Sequence, residues 1–166
     1  MRISLVDRPL AMAASTYDAY YNFYFSILRS PADASPPDHP RDDYRIYIHD
    51  KQGETLDVIC NANGVISSIA FRQQAVKTAV NAGFDELSED GPLAVIADPT
   101  IDVYYVDSIR CVQFSSPVLN EAVLVSFSDS PAQQWHPIST AAFMGIDMNN
   151  AATSFLFSNV KFIADE

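Results

Sequence analysis

The clearest pattern along the chain is a strict alternation of apolar and polar positions between residues 44 and 70. YRIYIH (44–49) sets Ile46 and Ile48 against Arg45, Tyr47 and His49, and ETLDVIC (54–60) sets Leu56, Val58 and Cys60 against Asp57 and Ile59. A period of two is the mark of a strand with one face packed and one face wet. Asp50-Lys51-Gln52-Gly53 supplies a turn between the two runs, and Asn61-Ala62-Asn63-Gly64 ends in the Asn-Gly pair that tolerates positive φ. VISSIAF follows as a third strand, so 44–70 reads as an antiparallel meander.

Further strands are predicted on either side. RISLVD (2–7) is a short strand with Ile3 and Leu5 on one face, and PLAVIAD (92–98) has the unbroken apolar run of a buried one. IDVYYVDSIRCVQFSS (101–116) reads as two strands or one bent strand. EAVLVSFSD (121–129) places Val123, Val125 and Phe127 on one face. FSSP (114–117) and FSDSP (127–131) end neighbouring segments alike, at a spacing that suits hairpin pairing. Residues 133–150 read mostly as loop with a short helix, and 152–165 as a last strand or strand pair.

Residues 15–28, STYDAYYNFYFSIL, admit two periods. On a 3.6-residue period Tyr17, Tyr20, Tyr21, Tyr24, Ile27 and Leu28 share one side. On a period of two, Tyr21, Phe23, Phe25 and Ile27 oppose Tyr20, Asn22, Tyr24 and Ser26, and aromatic composition favours this strand. Boundary signals favour the helix: Ser15 caps it, Asp18 suits its first turn, and Arg29-Ser30-Pro31 stops it. The helix is the reading adopted, as an aromatic wedge filling the concave side of a sheet. A second helix is predicted over 71–82, where Ala75, Val76, Ala79 and Val80 cluster and Gly83 follows as a stop.

These elements predict an α+β fold, with an antiparallel sheet of six to eight strands packed by two or three helices. A length of 166 residues suits one globular domain, 1–166. Residues 31–43, PADASPPDHPRDD, hold four of the ten prolines, which predicts an exposed, partly extended loop.

Charge changes the picture more than composition does. The net charge is −11, but Met1–Lys77 carries eight basic and nine acidic residues, whereas Thr78–Glu166 carries two basic and twelve acidic. So anionic a half repels nucleic acid and anionic lipid and draws in a cationic protein. No stretch approaches the ~18 apolar residues needed to cross a bilayer, and Asp7, Arg8 and Pro9 interrupt any signal-like run at the N-terminus. Cys60 and Cys111 lie far apart within apolar runs, as buried thiols do, and a reducing cytoplasm is the expected compartment.

Motifs for chemistry are absent from the sequence. No two of His39, His49 and His136 share helical ligand spacing. DHPRDD (38–43) gathers one His and three carboxylates, but its Pro-rich loop is a poor cage for a metal, and DELSEDG (85–91) lacks the ligand pattern of a calcium loop. No nucleophile elbow, S-x-x-K signature or glycine-rich phosphate loop occurs. The aromatics of 15–28 lack the cations that accompany base stacking.

The expectation is therefore a non-enzymatic binding protein with no metal or cofactor, a monomer or weak homodimer that binds neither nucleic acid nor membrane. Its most concrete form is an immunity-type inhibitor that neutralises a basic, nuclease-like toxin domain, because a cleft built for a polyanion is plugged by an acidic surface. The expected contact residues are Asp85, Glu86, Glu89 and Asp90, joined by Asp38, Asp42 and Asp43 of the Pro-rich loop. Tyr104 or Tyr105, whichever the alternation turns outward, supplies an anchor. The alternatives are a small-molecule-binding domain or enzyme with an aromatic-lined pocket, and a structural or assembly subunit.

Overall fold

A computed structural model describes residues 1–18, 22–27, 44–78, 84 and 87–163. Among these residues there are fifteen strands in three sheets and no helix, so the protein is all-β and the expected α+β fold is overturned. Accordingly no helix among the described residues is long and apolar enough to cross a membrane. The first strands are β1 (Ile3–Val6), β2 (Ala13–Tyr17), β3 (Asn22–Ile27), β4 (Tyr44–His49), β5 (Thr55–Cys60) and β6 (Ile66–Arg72). Next come β7 (Val76–Lys77), β8 (Leu93–Ile96), β9 (Val103–Tyr105), β10 (Arg110–Ser116) and β11 (Asn120–Ser126). The last are β12 (Gln134–Ser139), β13 (Ala142–Ile146), β14 (Ala152–Phe157) and β15 (Lys161–Phe162).

One sheet has seven strands in the order β15-β2-β3-β6-β5-β4-β9, the second has six in the order β12-β13-β14-β11-β10-β7, and β1 pairs with β8 alone. The two large sheets pack face to face around one core. Phe23 and Phe25 of the seven-stranded sheet meet Phe157 of the six-stranded sheet, with ring centroids 4.5 and 5.5 Å apart. Phe23 also stacks on Phe71 at 4.6 Å, and Phe127, Phe155 and Phe157 continue the aromatic line.

Within its described part, the helix expected over 15–28 is instead the paired strands β2 and β3, in the register Ser15↔Phe25 and Tyr17↔Phe23, while Tyr20, Tyr21 and Leu28 lie outside the described residues. The period of two wins because a partner sheet lies on one side only. Phe23 and Phe25 point into it and are buried, while Tyr24 and Ser26 point outward, Tyr24 with 50% of its surface exposed. Ser15, the expected cap, sits buried in mid-strand. The wedge on the concave side is not a helix but the second sheet.

The helix expected over 71–82 fails within its described part. Phe71 and Arg72 end β6, and Val76–Lys77 crosses to the other sheet to pair in parallel with Val112–Gln113. The loop expected over 133–150 is the β12–β13 hairpin. Pro137 is tolerated in it because β12 is an edge strand with a register shift at that point, so the missing N–H breaks no ladder. Ile3 and Leu5, expected on one face of a short strand, differ in burial: Ile3 is buried and Leu5 is exposed.

The meander is present as β4–β5–β6. Its turns share one chemistry, found again between β13 and β14. Asp50, Asn61 and Asp147 each accept hydrogen bonds on one side-chain oxygen from the amides two and four residues on, at 2.8–3.1 Å. The residue three places on, Gly53, Gly64 or Asn150, takes positive φ. Gly64 is further constrained, since a Cβ there would lie 1.9 Å from the carbonyl oxygen of Ile96.

The six-stranded sheet is covered on both faces, which accounts for the six consecutive buried residues of β14. Phe84 and Leu87 pack on its outer side against Phe114, Phe143, Leu156 and Trp135, Phe84 stacking on Phe114 at 5.5 Å. The outer face of the seven-stranded sheet carries the polar halves of the alternating strands. Cys60 and Cys111 are buried thiols, and burial pushes that of Cys111 up to about 12.

Phe157 joins both sheets, so Phe157→Ala should cost about 3–5 kcal/mol of unfolding free energy. Tyr24→Ala, at a half-exposed position one residue from Phe23, should cost about 1 kcal/mol or less. Chemical denaturation of the two variants checks the pair. Equal losses would contradict the outward orientation of Tyr24.

Candidate functional site

A concavity lies where chain segments of the two sheets meet. β4 and β9 run parallel, with His49 opposite Tyr105, so the residues after each strand emerge side by side. The segment 106–109 then carries the chain from the seven-stranded to the six-stranded sheet. Because Arg110 faces Ser126, the end of β11 comes to the same place. A cleft of about 440 Å³ opens there, bordered by Asp50, Lys51, Tyr105, Asp107, Phe127 and Asp129. It adjoins a smaller recess of about 240 Å³ reaching Ile48, Tyr104, Ala151 and Ala152.

Asp50 holds this geometry. Its Oδ1 accepts from the amides of Gln52 and Glu54, both at 2.9 Å, while its Oδ2 accepts from Ile109 at 3.0 Å. The same carboxylate therefore closes the β4–β5 turn and pins the crossover. Burial acts to raise its pKa, but the amides of Ile109, Glu54, Gln52 and Gly53 outweigh it and leave the carboxyl below its ordinary value. Two further ties hold the crossover: Val106 N donates to His49 O at 2.8 Å, and Gln73 Nε2 donates to Ile109 O at 3.0 Å.

The remaining charges are in pairs. Lys51 bonds Asp107, which raises the lysine pKa, and Arg110 Nη2 lies 3.0 Å from Asp129 Oδ1. Three carboxylates thus stand against two cations, all on exposed side chains or turns. Tyr105 rises beside them with 83% of its surface exposed, one face leaning on His49 at 5.9 Å; His49 in turn stacks on Tyr47 at 5.9 Å. Met148, 84% exposed, lies at the tip of the turn that carries Ala151 into the recess. The arrangement offers an aromatic anchor, one more carboxylate than cation, and walls that hold both in place.

Of the residues predicted from sequence, Tyr105 is the outward one, and Tyr104 turns inward opposite Ile48 and packs against the core. Burial, then the charge of Asp98, raises the pKa of Tyr104. Glu89 and Asp90 are exposed, but they follow Leu87 on the outer side of the six-stranded sheet and so do not join Tyr105. Asp38, Asp42, Asp43, Asp85 and Glu86 lie outside the described residues. Asp50, Asp107 and Asp129 escaped sequence reasoning. Each sits in a separate inter-strand segment, and only the parallel β4–β9 pairing and the sheet-to-sheet crossover bring them together. Among the described residues no three His, Cys, Asp or Glu side chains gather as metal ligands.

Neither a family model nor a curated protein matches the sequence, and the site is read from its own chemistry.

Asp50→Ala should lower stability by about 1–3 kcal/mol near neutral pH, because three backbone donors lose a charged acceptor. With a folded pKa below the ordinary ~3.9, the stabilisation is complete above that value and disappears as pH falls through the lowered folded one. Urea titrations at pH 7 and near pH 3 check this: the gap between wild type and variant should close on acidification. A gap that is constant with pH would show that the carboxylate charge plays no part.

Proposed function

We propose that the protein is a non-enzymatic binding protein that docks a cationic protein partner at the cleft, with Tyr105 as its anchor. In its most concrete form it is a cytoplasmic, immunity-type inhibitor of a basic toxin domain. The observation that carries this reading is the juxtaposition of an 83%-exposed tyrosine with a rigidly held cleft whose carboxylates outnumber its cations. A large amphipathic ring on an edge strand loses little conformational freedom on docking and buries much surface, as interface anchors do. Carboxylates around a concavity focus the field of a chain whose net charge is −11, which accelerates encounter with a positive surface. Met148, exposed on the turn that leads to the recess, is a second apolar side chain open to a partner.

The immobilised full chain, exposed to lysate of its native host, should retain a basic protein in roughly 0.05 M salt and release it in roughly 0.5 M. Purified partner should bind Tyr105→Ala about tenfold or more weakly than wild type. Asp129→Asn should mainly slow association. If the partner is a toxin, co-expression with the wild-type chain should restore growth and co-expression with Tyr105→Ala should not. A partner of neutral or acidic charge, or binding indifferent to salt, would reject the reading.

A further inference from the structure

The outer face of the seven-stranded sheet carries a second concavity, on the other side of the β4–β5 turn from the cleft. Register partners place Tyr24, Ala70, Asp57 and Tyr47 in one row across β3, β6, β5 and β4. Tyr24 and Asp57 are two strand spacings apart, about 10 Å, and the residue between them is an alanine. The result is a trough of about 340 Å³ floored by Ala70, with Tyr24, Glu54, Thr55, Asp57 and Arg72 around it.

Three features define what it accepts. First, half of the Tyr24 surface is open, so a ring face is available. Second, a buried acceptor of the trough, Asp57 Oδ1, stands 3.7 Å from Arg45 Nε and has no hydrogen-bond donor among the described residues. Burial outweighs the pull of Arg45 and raises the Asp57 pKa. A buried acceptor left without a donor costs free energy that a ligand hydroxyl recovers. Third, the charges balance, with Glu54 and Asp57 against Arg45 and Arg72, so neither a cation nor an anion gains net attraction there.

A neutral polyhydroxylated ligand meets all three conditions. Its hydroxyls donate to Asp57 and Glu54 and accept from the guanidinium fork of Arg72, while its polarised C–H face lies on the electron-rich face of Tyr24. We propose that this trough binds a neutral saccharide, with a sugar ring stacked on Tyr24 and adjacent hydroxyls held between Asp57 and Arg72. The site is independent of the cleft and requires no protein partner.

The test is an amide NMR titration of the full chain with maltotriose, cellotriose, xylotriose and chitotriose, with trigalacturonate and trilysine as charged controls. At least one neutral trisaccharide, at roughly 10 mM, should produce saturable shifts at residues 22–24, 55–57 and 70–72 while residues 105–109 and 127–129 stay unmoved. Tyr24→Ala should weaken that binding about tenfold or more. Ala70→Leu, which fills the trough from its floor, should abolish it without lowering the melting temperature. The proposal is overturned by three results: no saturable shift from any of the four sugars, a response to the charged trimers alone, or binding that survives Ala70→Leu.

Discussion

The contact of Phe157 with Phe23 and Phe25 is the interaction on which the rest of the molecule depends. A sheet with one apolar face is stable only when that face is covered, and this chain covers each large sheet with the other. Phe157 enters the gap between two inward rings of β3, and Phe71, Phe127 and Phe155 extend the same seam. Everything that faces outward on the seven-stranded sheet, including Tyr24, Asp57 and the Tyr47–His49–Tyr105 ladder, does so because its strand neighbours are drawn into this seam.

Packing of this kind is non-directional, and polar ties set where the chain passes between the sheets. The Tyr17 hydroxyl donates to Gln73 O and accepts from Ala75 N at 2.8 Å, which orients the step from β6 to β7. The Asp50 carboxylate fixes the step from β9 to β10 through Ile109. Each tie gives a buried or half-buried backbone group a partner it would otherwise lack. The cleft is a consequence of the second tie, for its rim is the turn that Asp50 closes and the crossover that Asp50 pins. Stability and the candidate binding geometry are therefore written into the same residue, while Tyr105, which packs on little but His49, is left available for a partner.

Legibility in the sequence followed locality. The β4–β5–β6 meander was readable because its alternation is strict and its turns combine an Asx residue with a glycine three places on. The same Asx turn between β13 and β14 was missed because Asn150 stands where glycine does in the other two, and Pro137 disguised the strand before it. The β2–β3 segment reads as a helix in the sequence because its aromatics satisfy both periods. The deciding fact, a sheet on one side only, lies more than a hundred residues away at Phe157. Tyr105 was found as one of two neighbours that alternation must separate. Asp50, Asp107 and Asp129 were not, because their proximity rests on a parallel pairing and a crossover that leave no periodic trace.

By itself, then, the sequence determined the alternating strands, the turns between them, the buried thiols and the strongly acidic balance of the second half. Those are properties of neighbouring residues or of simple sums over the chain. Tertiary structure alone decided that the protein is all-β, that the aromatics around Phe23 and Phe25 divide between an inward and an outward face, and which carboxylates share a cleft with Tyr105. The physical reason is that hydrophobic burial rewards area without regard to separation along the chain. The period that an ambiguous segment adopts, and the company its outward side chains keep, are set by whichever distant surface covers it.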